Sequence, residues 1–368
     1  MKSKTNTIIN YFSEMEDFRI NRKKRHLLID IITIAIAGTL CGCQGFDEIE
    51  DFGLYRLDWL KTFLELPNGI PSHDTFNRVF SKMNPSKFEE CFRNWVNCII
   101  ESKKEQLISI DGKTIRGAKS NGIKSPIHMV SAWSSEHSMV LGQVKVNEKS
   151  NEITAIPELL KTLFIQESII SIDAMGCQEE IVKTIIKEKA NYILAVKNNQ
   201  QTLFENIEDS FRFLKVTDSN ESHNVDHGRV ESRKCSIISD LSHIEQLNKW
   251  KNLSFLIKIE SKTYTKINQK TETAIRYYIA SKNETAQFYQ KNIRNHWGIE
   301  NKLHWTLDVV FQEDNSRKRN ENLAQNFSLI NKIALNILKN EESKKCSINR
   351  KRRYAIMDLK YLEKIMGF

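Results

Sequence analysis

The sequence predicts an α/β protein with a mixed sheet as its core, a helical domain before that core and a helical region after it. Two observations carry this prediction. Apolar residues recur at helical spacing up to about residue 104, and from Leu107 onward short apolar strands alternate with helices. A second group of strands, near residues 225–282, indicates a β-rich insertion in the core. The helical N-terminal domain is predicted at 1–104. The α/β core is predicted at 105–310, with its β-rich insertion at about 205–283. A basic helical C-terminal region is predicted at 311–368.

Composition and charge indicate an anionic partner. The 368 residues are 40% hydrophobic, which is enough for a substantial core, and 55 Lys and Arg against 46 Asp and Glu leave a net charge of +9. Much of the excess lies after Lys291. This balance favours a nucleic acid such as double-stranded DNA over a neutral small molecule, while a charge run taken alone is more often a solvated helix face.

The cysteines and the apolar stretches favour a cytoplasmic protein. Seven cysteines occur at scattered spacings without a CxxC pair, so neither a disulfide framework nor a zinc site is predicted and a reducing compartment is expected. The longest apolar stretch, Leu27 to Cys43, contains Asp30 and is shorter than the roughly 20 residues that a membrane-spanning helix needs. We predict a buried helix there and no membrane residence.

The first hundred residues have the pattern of helices. Pro71 to Thr75 has the composition of a turn that caps a helix beginning near Thr75. Apolar residues repeat at helical spacing in three further stretches, Leu27–Leu40, Phe46–Leu64 and Phe88–Ile100. A helical unit of this kind is typical of a DNA-binding or oligomerisation module.

The order of elements after residue 105 is that of a ribonuclease-H-like core. Three strands are followed by a helix, a strand, a helix and a strand, each bounded by Gly, Pro or polar turns. In chain order the predicted elements are Leu107–Asp111, Ile127–Ser134, Val140–Val146, the helix Glu152–Phe164, Ser168–Asp173, the helix Gln178–Lys189 and Tyr192–Val196. The clearest strands of the insertion are Leu253–Ile259 and Ala274–Ala280, and a helix from about Ala286 to His304 follows them.

Two of the predicted strands end in an aspartate. Leu107–Asp111 is followed by Gly112, where a turn is expected, and Ser168–Asp173 repeats the arrangement. Strands of one sheet that end in Asp can place both carboxylates within reach of one cation, and Mg²⁺ prefers carboxylate oxygens. Two such ions can activate the attacking oxygen and stabilise the leaving one in phosphodiester cleavage. Either Asp alone is more commonly a turn former or a helix cap, so the pair carries the prediction.

A third acid lies in the helix predicted after the insertion. Glu300 is four residues after His296 and four before His304, so the three side chains are expected on one helical face. This spacing differs from the usual HExxH zinc site, and no Cys is close in sequence, so a zinc site ranks low. In their usual role, Trp297 and Trp305 would be core anchors.

At five segments the sequence resembles the DDE transposases of bacterial insertion sequences, specifically the branch that includes the H-repeat-associated proteins. The segments occur in the family's order, and the resemblance runs from about residue 10 to the end of the chain. They are Ser109–Gly117 (SIDGKTIRG), Asp173–Gln178 (DAMGCQ), Ala195–Gln200 (AVKNNQ), His227–Arg233 (HGRVESR), and Asn295–Trp305 (NHWGIENKLHW) with its continuation to Phe311.

The resemblance implies a ribonuclease-H-like catalytic domain with a β insertion between the second and third acids. It gives the roles of first, second and third acid to Asp111, Asp173 and Glu300, which would hold Mg²⁺, with Mn²⁺ as a substitute. The implied activity is that of a DNA transposase, in which water cuts at the element's end and the freed 3′-OH attacks target DNA. With reference pKa values of about 4, all three acids are expected to be charged at neutral pH.

Basic residues near the acids are candidates for contacts with DNA phosphates. Related transposases often carry Tyr, Arg and Lys at fixed spacing around the last acid, but these positions are Ile293, His296 and Leu307 here, so neighbouring residues would handle the phosphates. Each candidate can equally be an exposed solubilising charge. The candidates are Lys113, Arg116, Lys197, Arg229, Arg233, Arg294, His296 and Lys302.

Three alternative functions remain open at this point. One is a nuclease of the same fold that cuts without joining, and another is a domesticated relative that binds DNA without activity. The third is a helical scaffold without chemistry, which the paired strand-end acids disfavour. Because two DNA ends must usually be brought together, a homodimer is predicted for the active complex.

Overall fold

The computed structural model describes residues 8–100, 105–118, 126–147, 151–226, 229–266 and 269–367. Within these ranges the chain is a mixed α/β protein with one nine-stranded sheet and helices packed on both of its faces. The strands are β1 Leu107–Thr114, β2 His128–Ser134, β3 Met139–Lys145, β4 Ile169–Ile172, β5 Asn191–Val196, β6 Asp218–Asp226, β7 Arg229–Ile238, β8 Phe255–Thr265 and β9 Lys270–Ala280. Their order across the sheet is β3-β2-β1-β4-β5-β9-β8-β7-β6.

The centre of the sheet is parallel and its two wings are antiparallel. β1 pairs with β4 and β4 with β5 in parallel, while β1, β2 and β3 form one antiparallel wing. On the other side β9 pairs with β5 in antiparallel fashion, and β8, β7 and β6 continue as a meander. The strands of the predicted insertion therefore extend the central sheet.

Helices precede, interrupt and follow the strands. Those before the sheet are α1 Ile8–Ser13, α2 Leu28–Leu40, α3 Phe46–Tyr55, α4 Leu57–Leu60, α5 His73–Lys82 and α6 Pro85–Ile99. Those between strands are α7 Glu152–Thr162, α8 Glu179–Lys187 and α9 Gln201–Phe213. After β9 come α10 Ala286–His296, a π-helical turn Ile299–His304, α11 Trp305–Val309, α12 Glu321–Asn340, α13 Ile348–Met357 and α14 Leu359–Met366.

Alternation along the central strands gives the sheet two buried faces. Ile110 and Ile172 belong to the main core, which also contains apolar residues of α7, α8, α9 and α12. Leu107 and Ile169 belong to a second core on the opposite face, where Tyr289 of α10 packs. We call this second side the α10 face. Polar residues that follow Leu107 and Ile169 at two-residue steps therefore point toward α10.

The long helix α12 joins the C-terminal region to both earlier parts of the chain. It is buried along most of its length and contacts α2, α5, α6 and β3. The amide of Asn326 donates to the carbonyls of Phe80 and Met83, and the amide of Asn336 donates to the carbonyl of Val140. These bonds satisfy buried backbone groups that have no partner within their own helix or strand.

The elements predicted one by one agree with the structure apart from three differences, and the helix α9, at the start of the predicted β-rich insertion, was not predicted. The helix predicted over Phe46–Leu64 is divided at Arg56 into α3 and α4. The helix predicted to run to His304 leaves the α-helical pattern after His296. The apolar stretch from Leu27 forms the buried helix α2, as predicted. Among the helices in the described ranges, none combines the length and apolar character required to cross a membrane.

The third difference concerns the first aspartate. β1 continues three residues beyond Asp111, because its antiparallel pairing with β2 extends to Thr114 opposite His128. Only the parallel pairing with β4 stops at Ile110. Asp111 therefore lies inside a strand and not at its end, and Gly112 is part of the strand where a turn was expected.

Candidate active site

Asp111 and Asp173 are neighbours on the α10 face of the sheet. Ile110 of β1 lies opposite Ile172 of β4 in parallel register, so the next residue on each chain is an aspartate. Two residues earlier, the hydroxyl oxygens of Ser109 and Ser171 are 3.2 Å apart. Strand register therefore brings the two predicted acids together.

Asp111 is largely enclosed. Its side chain is 21% exposed, and Oδ2 lies 3.4 Å from Nδ1 of His304. Burial is the main reason that the pKa of Asp111 rises to about 7, and the negative charge of three neighbouring acids acts in the same direction. These acids are Glu300, Glu152 and Asp173. Near neutral pH Asp111 is thus only partly ionised without a cation, which differs from the expectation that all three acids are fully charged.

Asp173 follows β4 and caps the short turn Ala174–Gly176. Its Oδ1 accepts a hydrogen bond from the backbone N–H of Met175 at 3.0 Å. Burial raises the pKa of Asp173, and Glu152 adds to that effect, whereas the backbone N–H groups and Lys197 oppose it. The cap role that the sequence allowed is therefore present, and the same carboxylate belongs to the acidic cluster.

Glu300 is an exposed residue of the π-helical turn, which contacts β1. Ile299 and Leu303 are fully buried and anchor that turn. Burial and the negative charge of Asp173 raise the pKa of Glu300. Since Glu300 in turn raises the pKa of Asp111, the three predicted acids form one electrostatically coupled cluster. Single π-helical turns inside helices occur frequently at functional sites.

The two histidines beside Glu300 are largely enclosed and uncharged. Nδ1 of His296 lies 2.9 Å from the hydroxyl of Ser171, and burial lowers the pKa of His296 to about 4. Burial also lowers the pKa of His304 to about 3, and its Nε2 has no hydrogen-bond partner among the described residues. His296 is therefore neutral, so its predicted phosphate contact would be a hydrogen bond from an uncharged imidazole.

Trp297 and Trp305 lie at the surface on either side of Glu300. They are 39% and 58% exposed, so neither is the core anchor that its residue type suggests. The guanidinium of Arg276 stands over the Trp297 ring, 5.6 Å from its centre. Exposed aromatic surface, that of Trp297, therefore lies beside the third acid.

A fourth carboxylate, which the sequence analysis missed, acts on the cluster. Glu152 is the first residue of α7, and its Oε1 is 2.6 Å from Nε2 of His128. Nδ1 of the same imidazole lies 2.8 Å from the hydroxyl of Thr114. Because Glu152 raises the pKa of both Asp111 and Asp173, it is close to the first two acids.

Gly112 makes the approach of Glu152 possible. A Cβ atom at this position would lie 2.2 Å from Oε1 of Glu152 and 2.5 Å from Nε2 of His128. A side chain at this position would have to displace the Glu152 carboxylate and the His128 imidazole, so the glycine leaves room for them and does not form a turn. This glycine was the one signal in the sequence that something packs closely against β1.

The cluster fits a hard divalent cation by its chemistry. Its donors are carboxylate oxygens, and burial together with the negative charge of the neighbouring acids raises the pKa of Asp111, as expected where carboxylates crowd together. In the described ranges, no three His, Cys, Asp or Glu side chains are close enough to hold a single ion as they stand. The acids therefore lie near one another, but their oxygen atoms do not surround a single ion position.

Three predicted phosphate contacts are exposed. Lys197 follows β5 and lowers the pKa of Asp173, so it lies beside the second acid. Lys302 is two residues after Glu300 on the π-helical turn. The side chain of Arg116 is 81% exposed, with Nε 3.7 Å from Asp314.

Lys113 has a different environment from the one expected. Its Nζ lies 2.7 Å from Asp308, 3.3 Å from Glu313 and 3.1 Å from Asp314, and the side chain is 10% exposed. These ion pairs join β1, two residues after the first acid, to α11 and the turn that follows it. In this structure the charge of Lys113 is matched by three carboxylates and not by solvent.

The remaining basic candidates lie on the meander and α10. Arg233 donates to Glu231 at 2.5 Å, and Arg294 is 3.8 Å from the other oxygen of the same carboxylate. Arg229 is exposed at the first residue of β7, at the tip of the β6–β7 hairpin. The first two residues of the corresponding motif, 227–228, lie outside the described residues.

A cavity of about 280 Å³ opens beside the second and third acids. Asp173, Lys197 and Glu300 form its polar side. Tyr277 and Trp297 contribute aromatic surface to the rest. The cavity thus connects the acids to the end of β5 and the middle of β9.

Similarity to known proteins covers nearly the whole chain. One solved structure, a piggyBac transposase synaptic complex with hairpin DNA, aligns with 96% of this chain and 76% of that chain, at a TM-score of 0.46 and 16% identity. The "H repeat-associated putative transposase YhhI" of Escherichia coli strain K12 is 42% identical over 370 residues, covering 98% of this chain and 97% of that protein. The "Putative transposase YncI" of Escherichia coli O157:H7 is 41% identical and covers 98% of this chain and 94% of that protein.

Two protein families match in sequence. Residues 9–96 match the family described as DDE_Tnp_1-associated. Residues 102–337, which include all three predicted acids, match the family described as Transposase DDE domain. The resemblance inferred from the five motifs is therefore confirmed, and the chain belongs to the DDE transposase family, with the associated domain at its N-terminus.

Proposed function

We propose that this protein is a DNA transposase that cuts at the ends of its element and joins the freed 3′-OH to target DNA. The observation that carries the proposal is the coupled cluster of Asp111, Asp173 and Glu300, in a chain with a net charge of +9. The strand order β3-β2-β1-β4-β5, with its parallel centre, supports a ribonuclease-H-like catalytic core.

The three acids would hold Mg²⁺, or Mn²⁺ in its place. Held by these carboxylates, such an ion would supply activation of the attacking oxygen and neutralisation of charge on the scissile phosphate. Asp111, whose pKa is about 7, would have to lose its proton to act as a ligand. Glu152 remains bonded to His128, which leaves the three family acids as the proposed ligands.

Exposed cations around the cluster would position the DNA. Lys197 lies beside Asp173, Lys302 follows Glu300, and Arg116 is exposed beyond β1. Contacts of this kind fix the strand's position without reading its sequence. His304, in contact with Asp111, would orient that carboxylate.

The test is cleavage of end-labelled DNA that carries the inverted repeats flanking the element. Wild-type protein is expected to nick the DNA in Mg²⁺ and not in EDTA, and Glu300→Gln to lose activity by at least about 1,000-fold, since it keeps shape but removes charge. Glu158→Gln, at an exposed position of α7, is the matched control and should cut like wild type. Equal activity of Glu300→Gln and wild type would remove the third acid from the proposal.

A nuclease of the same fold is the alternative function. Cleavage alone does not separate it from a transposase, because both would use the same acids. Supplying DNA ends that are already cut isolates the joining step. Covalent joining of such ends to a plasmid supports the transposase, and cleavage of intact ends without any joining supports the nuclease.

We further propose that the active complex is a homodimer that works in the cytoplasm. Two ends must be held together for joining, and the residues that the structure describes contain no disulfide, as a reducing compartment permits. The division into a helical domain at 1–104, a catalytic domain at 105–310 and a basic region at 311–368 is part of this proposal. Light scattering of the protein bound to its DNA ends should give two protein chains per complex, and a single chain would contradict the dimer.

A further inference from the structure

A second cavity, which we call the arginine groove, lies on the α10 face next to the acidic cluster. Its volume is about 490 Å³. Side chains of β7, β8 and β9 form its floor, and α10 with the following turn forms its wall. The lining residues that matter most are Arg233, Thr263, Arg276, Arg294, Trp297 and Asn301.

Three arginines from separate elements meet in this groove, and one of them has no ion pair. Glu231 is shared by Arg233 at 2.5 Å and Arg294 at 3.8 Å. The other acid in the lining, Glu272, pairs with a lysine at 3.0 Å. Arg276 makes no ion pair with any described residue, and its guanidinium stands over Trp297. The groove therefore carries an uncompensated positive charge at Arg276.

The groove also has spare hydrogen-bond donors. Nε of Arg233 is buried and has no hydrogen-bond partner among the described residues. Thr263 and Asn301, whose side chains carry a hydroxyl and an amide, line the same space. Donors without acceptors, combined with an unpaired guanidinium, fit an anion that offers several oxygen atoms.

Arg276 connects the groove to the acids. Arg276 and Trp297 line both the arginine groove and the cavity beside Asp173 and Glu300. The ladder between β5 and β9 ends with Val196 opposite Tyr277, so the next residues on these strands are Lys197 and Arg276. A strand with one phosphate at the acids can therefore continue past Arg276 into the groove.

We propose that the arginine groove binds a backbone phosphate of the same DNA strand, near the phosphate that is cut, with Arg276 as its main ligand. This rests on the proposed function, because it takes DNA as the substrate. A phosphodiester has one negative charge and two non-bridging oxygens, which a guanidinium can contact in bidentate fashion. The contact is to the backbone, so it positions the strand without preferring a base sequence.

The first test measures DNA affinity in EDTA, where no cleavage occurs, as a function of salt. Arg276→Gln is expected to weaken binding of the end DNA about 5- to 10-fold at 0.1 M salt and to lower the slope of log K against log salt by about 1. Arg212→Gln is the matched control, because Arg212 is 66% exposed on α9, which packs on the other face. If Arg276→Gln and Arg212→Gln have the same affinity and slope, the proposal is wrong.

The second test locates the phosphate and does not depend on the variant's overall affinity. Single neutral methylphosphonates are placed in turn along the strand around the cleavage point, and each substituted DNA is bound by wild type and by Arg276→Gln. One position should weaken wild-type binding and leave the variant unaffected, because the variant has already lost that contact. A scan in which every substitution affects both proteins equally would overturn the proposal.

Binding and cleavage separate this inference from the proposed function. If the protein never cuts DNA but shows the position-specific loss, the arginine groove is a DNA site in a protein without the proposed activity. If it cuts and joins DNA but the scan shows no such position, the groove has another role and the proposed function stands.

Discussion

Replacing Asp111 by Asn should make the metal-free protein more stable at alkaline pH. The unfolded chain ionises this carboxyl near 3.8, and the folded protein ionises it near 7. Between these values the folded state keeps a proton that the unfolded state has lost, so the free energy of unfolding falls as pH rises. Above about pH 7 the folded protein bears the full free-energy cost of ionising Asp111. Asn carries no charge, so the variant avoids this cost.

The structure sets the size of this effect. A pKa difference of three units corresponds to about 4 kcal/mol at most. The side chain is 21% exposed, so solvent screens part of the charge, and we expect a gain of about 2 kcal/mol for Asp111→Asn at pH 8. For a chain of 368 residues that is about 3 °C in Tm. The gain should shrink toward pH 4.

Calorimetry in EDTA at pH 5 and pH 8 measures this difference directly. Asp51→Asn, at an exposed position of α3, is the control, and its Tm should differ from that of wild type by the same amount at both pH values. Adding Mg²⁺ should raise the Tm of wild type and not that of Asp111→Asn, because a ligand stabilises only the state that binds it. If Asp111→Asn is less stable than wild type at pH 8, the enclosed and electrostatically crowded site described above is incorrect.

Three further changes test the surroundings of the first acid. Gly112→Ala places a methyl group against Glu152 and should slow cleavage about 100-fold; a wild-type rate in the single-turnover assay would show that the close approach is unimportant. Lys113→Met leaves three carboxylates uncompensated and should lower the free energy of unfolding by about 3 kcal/mol in urea titrations, whereas a loss below about 1 kcal/mol would make those ion pairs surface contacts. His304→Leu removes a contact to Asp111 and should weaken Mg²⁺ binding, measured by calorimetry, about 10-fold. His304→Asn can still donate a hydrogen bond and should bind Mg²⁺ almost as well as wild type. Identical Mg²⁺ affinities of the two variants would deny His304 a positioning role.

The sequence predicted the central acids because the signals for them are local. The apolar runs before Asp111 and Asp173 are short and bounded, so both strands could be recognised without knowing their partners. Their adjacency needed one further fact, the register of Ile110 opposite Ile172. Matching patterns on the two strands made that register a reasonable expectation. The coupling of Glu300 to this pair depends on where α10 packs against the sheet. Only the order of the family's motifs in the sequence indicated that Glu300 would join the two aspartates.

Contacts between distant parts of the chain could not be predicted in the same way. Lys113 meets Asp308, Glu313 and Asp314, which follow it by about two hundred residues, so its pattern resembled that of an exposed lysine. Likewise, the packing of α10 against the sheet encloses His296 and lowers its pKa, so the side chain is uncharged. In both cases tertiary packing decided the protonation state or the partner, and composition carries no record of it.

The length of β1 was another feature that the local sequence pattern could not predict. The glycine after Asp111 looked like a turn, since Gly commonly follows the last residue of a strand. Pairing with β2 extends β1 to Thr114 and makes Gly112 the place where Glu152 approaches. Glycine serves both purposes, and only the partner strand distinguishes them.

The most direct test of the account is joining of pre-cut DNA ends to a supercoiled plasmid in Mg²⁺. Wild-type protein should produce covalent joints, while Asp173→Asn and Glu300→Gln should bind the same ends with wild-type affinity or better and join none. Such a result would tie the chemistry of transposition to this acidic cluster. Joining by either variant at the wild-type rate, or a wild-type protein that binds and cuts ends but never joins them, would contradict the account.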